Sequence, residues 1–280
     1  MPVARERIKR DNDLTDHQAA ELAAVLARLA DGAEEAVGNA FLGAYLVGSF
    51  ARGSGDAFSD VDFLVVTEGG LGPRAEQAVR QLHSSLPESD SPWARHLEGS
   101  YAPLAELRHG EGEGRPWLYV DNGSREMAWS THDNSANLRW MLWEHGIALA
   151  GPEPRTLLDP VAPERLAAEA LASVDRLAGL AASDPALLGS AWSQPHCVLA
   201  MCRFLFSAAT GTVTSKREAG EWAIDRLDAR WAALIRRALD DRPDPWERVH
   251  RPSDPELVAP TREFLRYGPQ ASLSVRPGRQ

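Results

Sequence analysis

Two short apolar runs, Ala44–Val47 and Val61–Val66, enclose the segment that most constrains the fold of this chain. Both runs are rich in β-branched and other apolar residues and are bounded by Gly, Ser and Asp, which favours buried strands over helix. A Gly-Ser turn follows the first run directly, and an Asp-x-Asp pair begins one residue before the second run. The sequence therefore predicts a strand, a tight turn, a short loop and a second strand that starts with two carboxylates.

The turn after the first predicted strand consists of Gly48 and Ser49. Glycine lets the backbone turn sharply and approach a ligand closely. The amides beyond it, together with the Ser49 hydroxyl, can point at a phosphate. The turn is therefore a candidate half of a nucleotide site.

The carboxylates of Asp60 and Asp62 lie two positions apart at the start of a strand, so both are expected on one face while Val61 faces the core. At roughly 5 Å and an effective dielectric constant near 20, they repel by about 3 kcal/mol, and a divalent cation relieves this repulsion. Mg²⁺ is the expected cation. The alternative is that Asp60 caps a turn and Asp62 is solvated, as in most isolated Asp-x-Asp pairs.

The Gly-Ser turn followed by Asp-x-Asp on the next strand resembles the signature of the DNA polymerase β-like nucleotidyltransferase superfamily. The resemblance implies that the turn binds a triphosphate, that the aspartates bind Mg²⁺, and that a third carboxylate follows on a later strand. Residues 95–101 alternate loosely and are predicted to form that strand, which places Glu98 across from Asp60 and Asp62. Glu98 is thus a candidate metal ligand or general base. An exposed strand glutamate is the alternative, and Glu106 is a weaker candidate.

Length and charge narrow the function classes. A chain of 280 residues can form two domains or one large domain, and no stretch approaches the roughly 20 apolar residues of a membrane span. The formal net charge of −10 argues against a broad surface for nucleic acid. It suits a cationic substrate, although negative charge also serves solubility.

The charged start of the chain, Met1–Arg7, is not followed by an apolar signal region, so a cytoplasmic protein is expected. Cys197 and Cys202 lie five positions apart on one predicted helix and do not face each other. They are expected to be reduced packing residues.

The predicted fold class is α+β, with a mixed-sheet nucleotidyltransferase domain over residues 1–154 and an all-α helical bundle over 155–268. The break at Gly151-Pro152-Glu153-Pro154 sets the boundary. The Pro-containing tail, residues 269–280, is predicted to be disordered. Helical patterns cover residues 14–37, 73–86, 135–146, 163–182 and 195–210.

Local signals mark two further positions. Ser215 and Glu218 have the spacing of a capping box at a helix start. Lys216 in that first turn opposes the helix dipole unless an anion lies nearby, so it is a candidate phosphate contact, with a surface lysine as the alternative. His132 and Asp133, which precede another predicted helix, are expected to serve the loop and the helix start.

The segment Leu199–Gly211, followed by Ser215-Lys216 and Glu221-Trp222-Ala223, resembles the helical domain of the aminoglycoside adenylyltransferases that modify streptomycin and spectinomycin. The resemblance implies that ATP, Mg²⁺ and the antibiotic bind between two domains. Carried over by motif, it implies phosphate or nucleotide contacts from Gly48, Ser49, Ser59, Arg203 and Lys216, Mg²⁺ binding by Asp60 and Asp62, and Glu98 as the catalytic base.

The acceptor is less closely defined. Streptomycin-active members carry a Trp and an Asp ahead of the helix that contains Arg203, and a count without gaps places these on Asp184 and Gly189. A further family Asp falls on Ser193, unless a gap moves Trp192 into register. Spectinomycin or another hydroxylated molecule is therefore favoured, and streptomycin is doubtful.

The predicted function is ATP-dependent transfer of AMP to a hydroxyl of an aminoglycoside or aminocyclitol antibiotic, with release of pyrophosphate. The expected partner is a small, hydroxylated, cationic acceptor, without nucleic acid or membrane, and the chain is expected to be a monomer. The alternative is a regulatory or antitoxin-type module that binds nucleotide without transfer. An enzyme acting on a protein or an RNA end would require a basic track or a peptide groove, and the sequence shows neither.

Overall fold

The computed structural model describes residues 2–89, 91–110, 112–243 and 245–275. This part of the chain divides into two compact units, one that ends at Val161 and one that begins at Ala162. The first unit is built on a mixed sheet, and the second is helical. The predicted fold class, a mixed-sheet domain followed by an all-α domain, is confirmed.

The strands of the first unit are β1 Phe41–Leu46, β2 Val61–Thr67, β3 Leu97–Pro103, β4 Trp117–Val120, β5 Met127–Ser130 and β6 Ile147–Ala150. Its helices are α1 Pro2–Asp11, α2 Asp16–Val37, α3 Gly48–Arg52, α4 Pro73–Ser85, α5 Leu104–His109 and α6 Ala136–His145. The sheet order is β5-β4-β3-β2-β1-β6. Only the β2–β3 pair is parallel among the strand pairs of the described residues.

The centre of the sheet places the predicted carboxylates. Every residue of β2 is buried except Asp62, as expected of a strand covered on both faces. The parallel register pairs Asp62 with Glu98 on β3. The prediction that the strand carrying Glu98 lies beside β2 is confirmed.

Several short elements were not predicted from the sequence. Helix α1 carries Ile8, which is fully buried in the core of the first unit. Strands β5 and β6 have four residues each, and β5 leaves Trp129 exposed, so neither has a strong apolar pattern. These elements form because neighbouring strands and helices cover them.

The first unit extends beyond residue 154, where the sequence placed the boundary. Leu157 and Leu158 are buried, and the Arg108 Nε donates to the Leu157 carbonyl at 3.1 Å. The Asp159 amide in turn donates to the Arg108 carbonyl at 3.1 Å. These contacts attach the segment after the Gly-Pro break to the first unit.

The second unit consists of α7 Pro163–Ser183, α8 Ser193–Thr210, α9 Lys216–Arg226, α10 Ala232–Asp240, α11 Pro245–Arg248 and α12 Pro255–Val275. Helix α8 packs against α7, α9, α10 and α12 and is the centre of this bundle. Cys197 and Cys202 lie on α8 as buried free thiols, and burial raises the pKa of both. In the described residues, no helix is long and apolar enough to cross a membrane.

The prediction of a disordered tail from residue 269 is wrong as far as Val275, because α12 continues to that residue. Phe264, Leu265 and Ala271 of this helix are fully buried in the helical core. Burial against α7 and α8 therefore stabilises a stretch whose composition favours disorder. Residues 276–280 lie outside the described residues.

Candidate active site

The turn between β1 and α3 packs directly against Asp62. Gly48 has φ of +66°, and a Cβ built there would lie 1.8 Å from the Asp62 Oδ2. The Val47 amide also donates to the Asp62 carbonyl at 2.9 Å. Both the backbone conformation and the available space at position 48 therefore require glycine.

The predicted turn is the start of a five-residue helix, α3, with half-buried Ser49 in its first turn. Asn12 braces the loop that follows: its Nδ2 donates to the Phe50 carbonyl at 3.0 Å, and its Oδ1 accepts from the Gly55 amide at 2.8 Å. The Arg7 guanidinium also donates to the Ala51 carbonyl at 3.2 Å. The N-terminal segment thus fixes the loop between the turn and the Asp-x-Asp pair.

The hydroxyl of Ser59 shapes this same loop. Ser59 is buried, its Oγ donates to the Asp56 Oδ1 at 2.9 Å, and it accepts from the Asp56 amide at 3.1 Å. The role of Ser59 as a phosphate contact stays a prediction.

Asp60, the residue immediately before β2, contacts the turn after β4. The Asn122 Nδ2 donates to the Asp60 Oδ1 at 2.9 Å. On its other side, the Asn122 Oδ1 lies 2.9 Å from the His96 Nδ1. Burial lowers the pKa of His96, more than its hydrogen bond to Asn122 raises it. The three residues form a continuous hydrogen-bonded chain.

The Glu98 carboxylate has two partners at the same oxygen. The Tyr119 hydroxyl donates to the Glu98 Oε1 at 2.8 Å, and the His132 Nε2 lies 3.3 Å from that atom. The tyrosine and histidine rings stack, with their centroids 5.2 Å apart. Hydrogen bonding to Glu98 is the largest cause that raises the pKa of His132, to about 9, so a protonated imidazole faces the carboxylate at neutral pH. Burial, aided by Glu98, raises the pKa of Tyr119.

Further acidic groups surround this pair. Asp133 accepts from the Ser100 hydroxyl at 2.7 Å, and burial raises its pKa to about 6. Asp121 accepts from the Tyr119 hydroxyl at 3.1 Å. The rival carboxylate Glu106 instead accepts from the Trp117 indole at 2.8 Å and has a structural role.

Sequence reasoning missed the residues that contact the carboxylates of Asp60 and Glu98, namely Tyr119, Asn122 and His132. It also missed Asp121, which accepts from Tyr119. A usable signal existed, since Asp121 and Asn122 directly follow the apolar stretch Trp117–Val120. His132 and Asp133 were expected to serve a helix start, but the cap of α6 is Ser135, whose side chain accepts from the Leu138 amide. The structure places His132 beside Glu98 instead.

The donor set fits a hard cation that arrives with a nucleotide. Asp60, Asp62 and Glu98 supply carboxylate oxygens from two adjacent strands, the ligand type that Mg²⁺ prefers. In the described residues, no three His, Cys, Asp or Glu side chains are grouped closely enough to hold a metal ion by themselves. Glu98 as a third ligand stays a prediction.

Arg203 and Lys216, the residues predicted to contact the nucleotide from the helical unit, lie half-buried on α8 and in the first turn of α9. The predicted capping box is confirmed: the Ser215 Oγ accepts from the Glu218 amide at 3.2 Å, and the Glu218 Oε2 accepts from the Ser215 amide at 3.1 Å. The capping box therefore fixes the backbone at the start of α9, where Lys216 lies.

The positions considered for the acceptor have local structural roles. Asp184 accepts from the Ala186 amide at 2.8 Å and caps a short 3-10 turn. Ser193 exchanges hydrogen bonds with Ser190 at the start of α8. Trp192 stacks on His196 with a centroid distance of 4.4 Å.

Two family models match the chain. Residues 29–87 match the nucleotidyltransferase domain, and residues 156–265 match the C-terminal domain of aminoglycoside adenylyltransferase.

Curated relatives agree with these matches. An aminoglycoside (3'') (9) adenylyltransferase of Klebsiella pneumoniae is 30% identical over an alignment of 233 residues, and the match covers 76% of this chain and 84% of that protein. The enzyme of the same name from Shigella flexneri is 29% identical over an alignment of 230 residues, and the match covers 77% of this chain and 83% of that protein.

A solved structure shares the fold. The crystal structure of spectinomycin adenyltransferase AAD(9) from Enterococcus faecialis with ATP and spectinomycin superposes with a TM-score of 0.61 at 17% identity. The match covers 92% of this chain and 100% of that one.

Proposed function

Because the chain belongs to the aminoglycoside adenylyltransferase family, we propose that it transfers AMP from ATP to a hydroxyl of an aminoglycoside or aminocyclitol antibiotic and releases pyrophosphate. One observation carries this proposal beyond the family assignment. Gly48 packs against Asp62, and Asp62 is paired in register with Glu98, so the turn, a candidate metal ligand and a candidate base lie together.

In this reaction the acceptor oxygen attacks the α-phosphorus of ATP while the bond from that phosphorus to the bridging oxygen breaks. Glu98 takes the proton from the acceptor hydroxyl, and pyrophosphate leaves with the bridging oxygen. Tyr119 and His132 hold the Glu98 carboxylate through its Oε1, which fixes its orientation for proton transfer. Mg²⁺ at Asp60 and Asp62 would neutralise charge on the triphosphate.

The remaining nucleotide contacts are proposed from the motif. Gly48 gives the backbone the positive φ of a sharp turn, and Ser49 follows it in the first turn of α3, where its hydroxyl is a candidate phosphate contact. Arg203 and Lys216 of the helical unit supply positive charge for the nucleotide. Ser59 is the weakest of these candidates because its hydroxyl already holds the loop around Asp56.

Spectinomycin is the proposed acceptor class, ahead of streptomycin. Asp184 replaces the tryptophan of streptomycin-active members in the gap-free count, and its carboxylate caps a 3-10 turn. Gly189 offers no side chain to a ligand. The formal net charge of −10 favours a cationic acceptor. We place the reaction in the cytoplasm, with the chain acting as a monomer.

A pyrophosphate-release screen tests the proposal. ATP, GTP, CTP and UTP are each combined with spectinomycin and streptomycin, and release is expected with ATP and spectinomycin. Glu98→Gln is expected to lower kcat by about 10²- to 10⁴-fold, and Asp60→Asn is expected to raise the Mg²⁺ concentration that half-maximal activity requires. Glu35→Gln, at an exposed position on α2, is the matched control and should keep full activity.

Three outcomes would contradict the proposal or a part of it. Normal turnover by Glu98→Gln would remove the base from the mechanism. Binding of ATP in calorimetry, with no turnover on any acceptor of the panel, would indicate a nucleotide-binding regulatory module instead. Streptomycin turnover as fast as spectinomycin turnover would show that the gap-free count to Asp184 and Gly189 is mistaken.

A further inference from the structure

Three polar residues meet at one end of the central strands of the sheet, and only Asp60 among them is assigned to the reaction. Asp60 and His96 immediately precede the parallel strands β2 and β3, and Asn122 follows β4, which runs antiparallel to β3. The first residues of two parallel strands lie at the same end of the sheet as the last residues of a strand that runs antiparallel to them. The topology therefore brings together residues that are distant in sequence.

Hydrogen-bond chemistry fixes the direction of this chain. The Asn122 Nδ2 donates to the Asp60 Oδ1 at 2.9 Å, because a carboxylate oxygen accepts and only the nitrogen of the side-chain amide can donate. The Asn122 carbonyl then faces His96, and the 2.9 Å contact requires a hydrogen on the His96 Nδ1. Asp60 thus determines the amide orientation of Asn122 and the proton position on His96.

The backbone around these side chains is also anchored. The Val61 amide donates to the His96 carbonyl at 2.9 Å, which connects the starts of β2 and β3. The backbone amide of Asn122 donates to the Asp121 Oδ1 at 3.0 Å. Rotation of the Asp60 carboxylate would therefore break its hydrogen bond to the Asn122 side chain, whose other end is held by His96.

We propose that Asn122 is a positioning residue that orients the Asp60 carboxylate for Mg²⁺ and the nucleotide, and that His96 holds Asn122 in the required orientation. The proposal rests on the proposed function, in which Asp60 binds Mg²⁺. Partners that orient metal ligands in this way typically contribute about 10- to 100-fold to metal affinity.

The test measures metal binding separately from activity. Mn²⁺ is titrated by electron paramagnetic resonance and by calorimetry into the full chain in the presence of a non-hydrolysable ATP analogue. Asn122→Ala is expected to raise the Kd of Mn²⁺ about 10- to 100-fold, and His96→Phe is expected to raise it by a smaller factor. The double variant should lose little more than Asn122→Ala alone, because both residues act through one contact.

Controls separate positioning from folding. Asn39→Ala, at an exposed position of the same unit, should bind Mn²⁺ like the wild type. Thermal unfolding of each variant shows whether the protein is folded at the temperature of the titration. Activity assays at saturating Mg²⁺ should restore part of the kcat of Asn122→Ala, which a loss of folded protein would not permit.

The outcomes distinguish a failure of the positioning role of Asn122 from a failure of the proposed function. If the wild type binds Mn²⁺ and Asn122→Ala binds it with the same Kd, the positioning role of Asn122 is overturned while the proposed function stands. If the wild type binds no Mn²⁺ with the nucleotide analogue, the proposed function fails and the positioning role fails with it.

Discussion

Gly48→Ala is the substitution whose effect can be worked out most directly from the structure. An added Cβ would lie 1.8 Å from the Asp62 Oδ2, 2.4 Å from its Cγ and 2.7 Å from its Cβ. Because the Asp62 Cβ is among these atoms, rotation of the carboxylate alone cannot relieve the overlap. The turn and the start of β2 must move apart.

Two free-energy terms combine at this position. A φ of +66° costs a non-glycine residue roughly 1 to 2 kcal/mol, and the lower entropy of the unfolded alanine chain offsets about 0.4 to 1 kcal/mol of that. The steric overlap adds about 1 to 3 kcal/mol. The expected loss in the free energy of unfolding is therefore roughly 2 to 4 kcal/mol.

Gly38→Ala provides a matched control. Gly38 has almost the same φ, +65°, but an added Cβ there would have no neighbour within 4 Å. Its ψ of −137° lies outside the left-handed helical region, so its expected loss is a conformational part of roughly 1 to 3 kcal/mol with no steric part. Only Gly48→Ala adds an overlap with Asp62, so the comparison of metal binding between the two variants tests that contact.

Function is measured on the same pair of variants. Gly48→Ala is expected to weaken binding of Mn²⁺ with an ATP analogue and to reduce pyrophosphate release, while Gly38→Ala leaves both unchanged. Equal loss of stability in the two variants, together with normal Mn²⁺ binding by Gly48→Ala, would refute the reasoning that the turn and Asp62 form one packed site.

Three further predictions concern other parts of the chain. Burial lowers the pKa of His83 to about 3, so below pH 6.5 the unfolded chain binds more protons than the folded one and the free energy of unfolding falls as the pH falls. At pH 5 this loss is about 2 kcal/mol, and urea unfolding of His83→Gln at pH 5 and pH 7 should not show it. Asn12→Ala is expected to lower the free energy of unfolding by about 1 to 3 kcal/mol and to raise the KM of ATP, because the loop after Ser49 loses its brace; an unchanged KM would restrict Asn12 to a structural role. Ser215→Ala should destabilise the helical unit by about 1 kcal/mol, measured by chemical unfolding, and an unchanged midpoint would contradict the importance of the capping box.

Local interactions could be predicted from the sequence because their partners lie within a few residues. The capping box at Ser215 involves Glu218, three positions later, so the spacing of the two residues in the sequence is enough to predict its hydrogen bonds. The buried run of β2 and the tight turn at Gly48 follow equally from short-range patterns. These patterns led to the nucleotidyltransferase fold and to Asp60, Asp62 and Glu98 as candidate site residues.

Contacts that depend on sheet register could not be predicted in this way. Asn122 reaches Asp60 across 62 positions of the chain, and Tyr119 reaches Glu98 across 21. No local pattern encodes these distances, because they arise only when β4 pairs with β3 and β3 pairs with β2.

Tertiary burial also decided where ordered structure ends. Residues 269–275 are helical because α12 packs against α7 and α8, not because their own composition favours helix. The sequence by itself determined the carboxylates and the turn of the candidate site. The tertiary structure decided which side chains hold them in place, since a hydrogen bond between distant segments forms only after the core has fixed both.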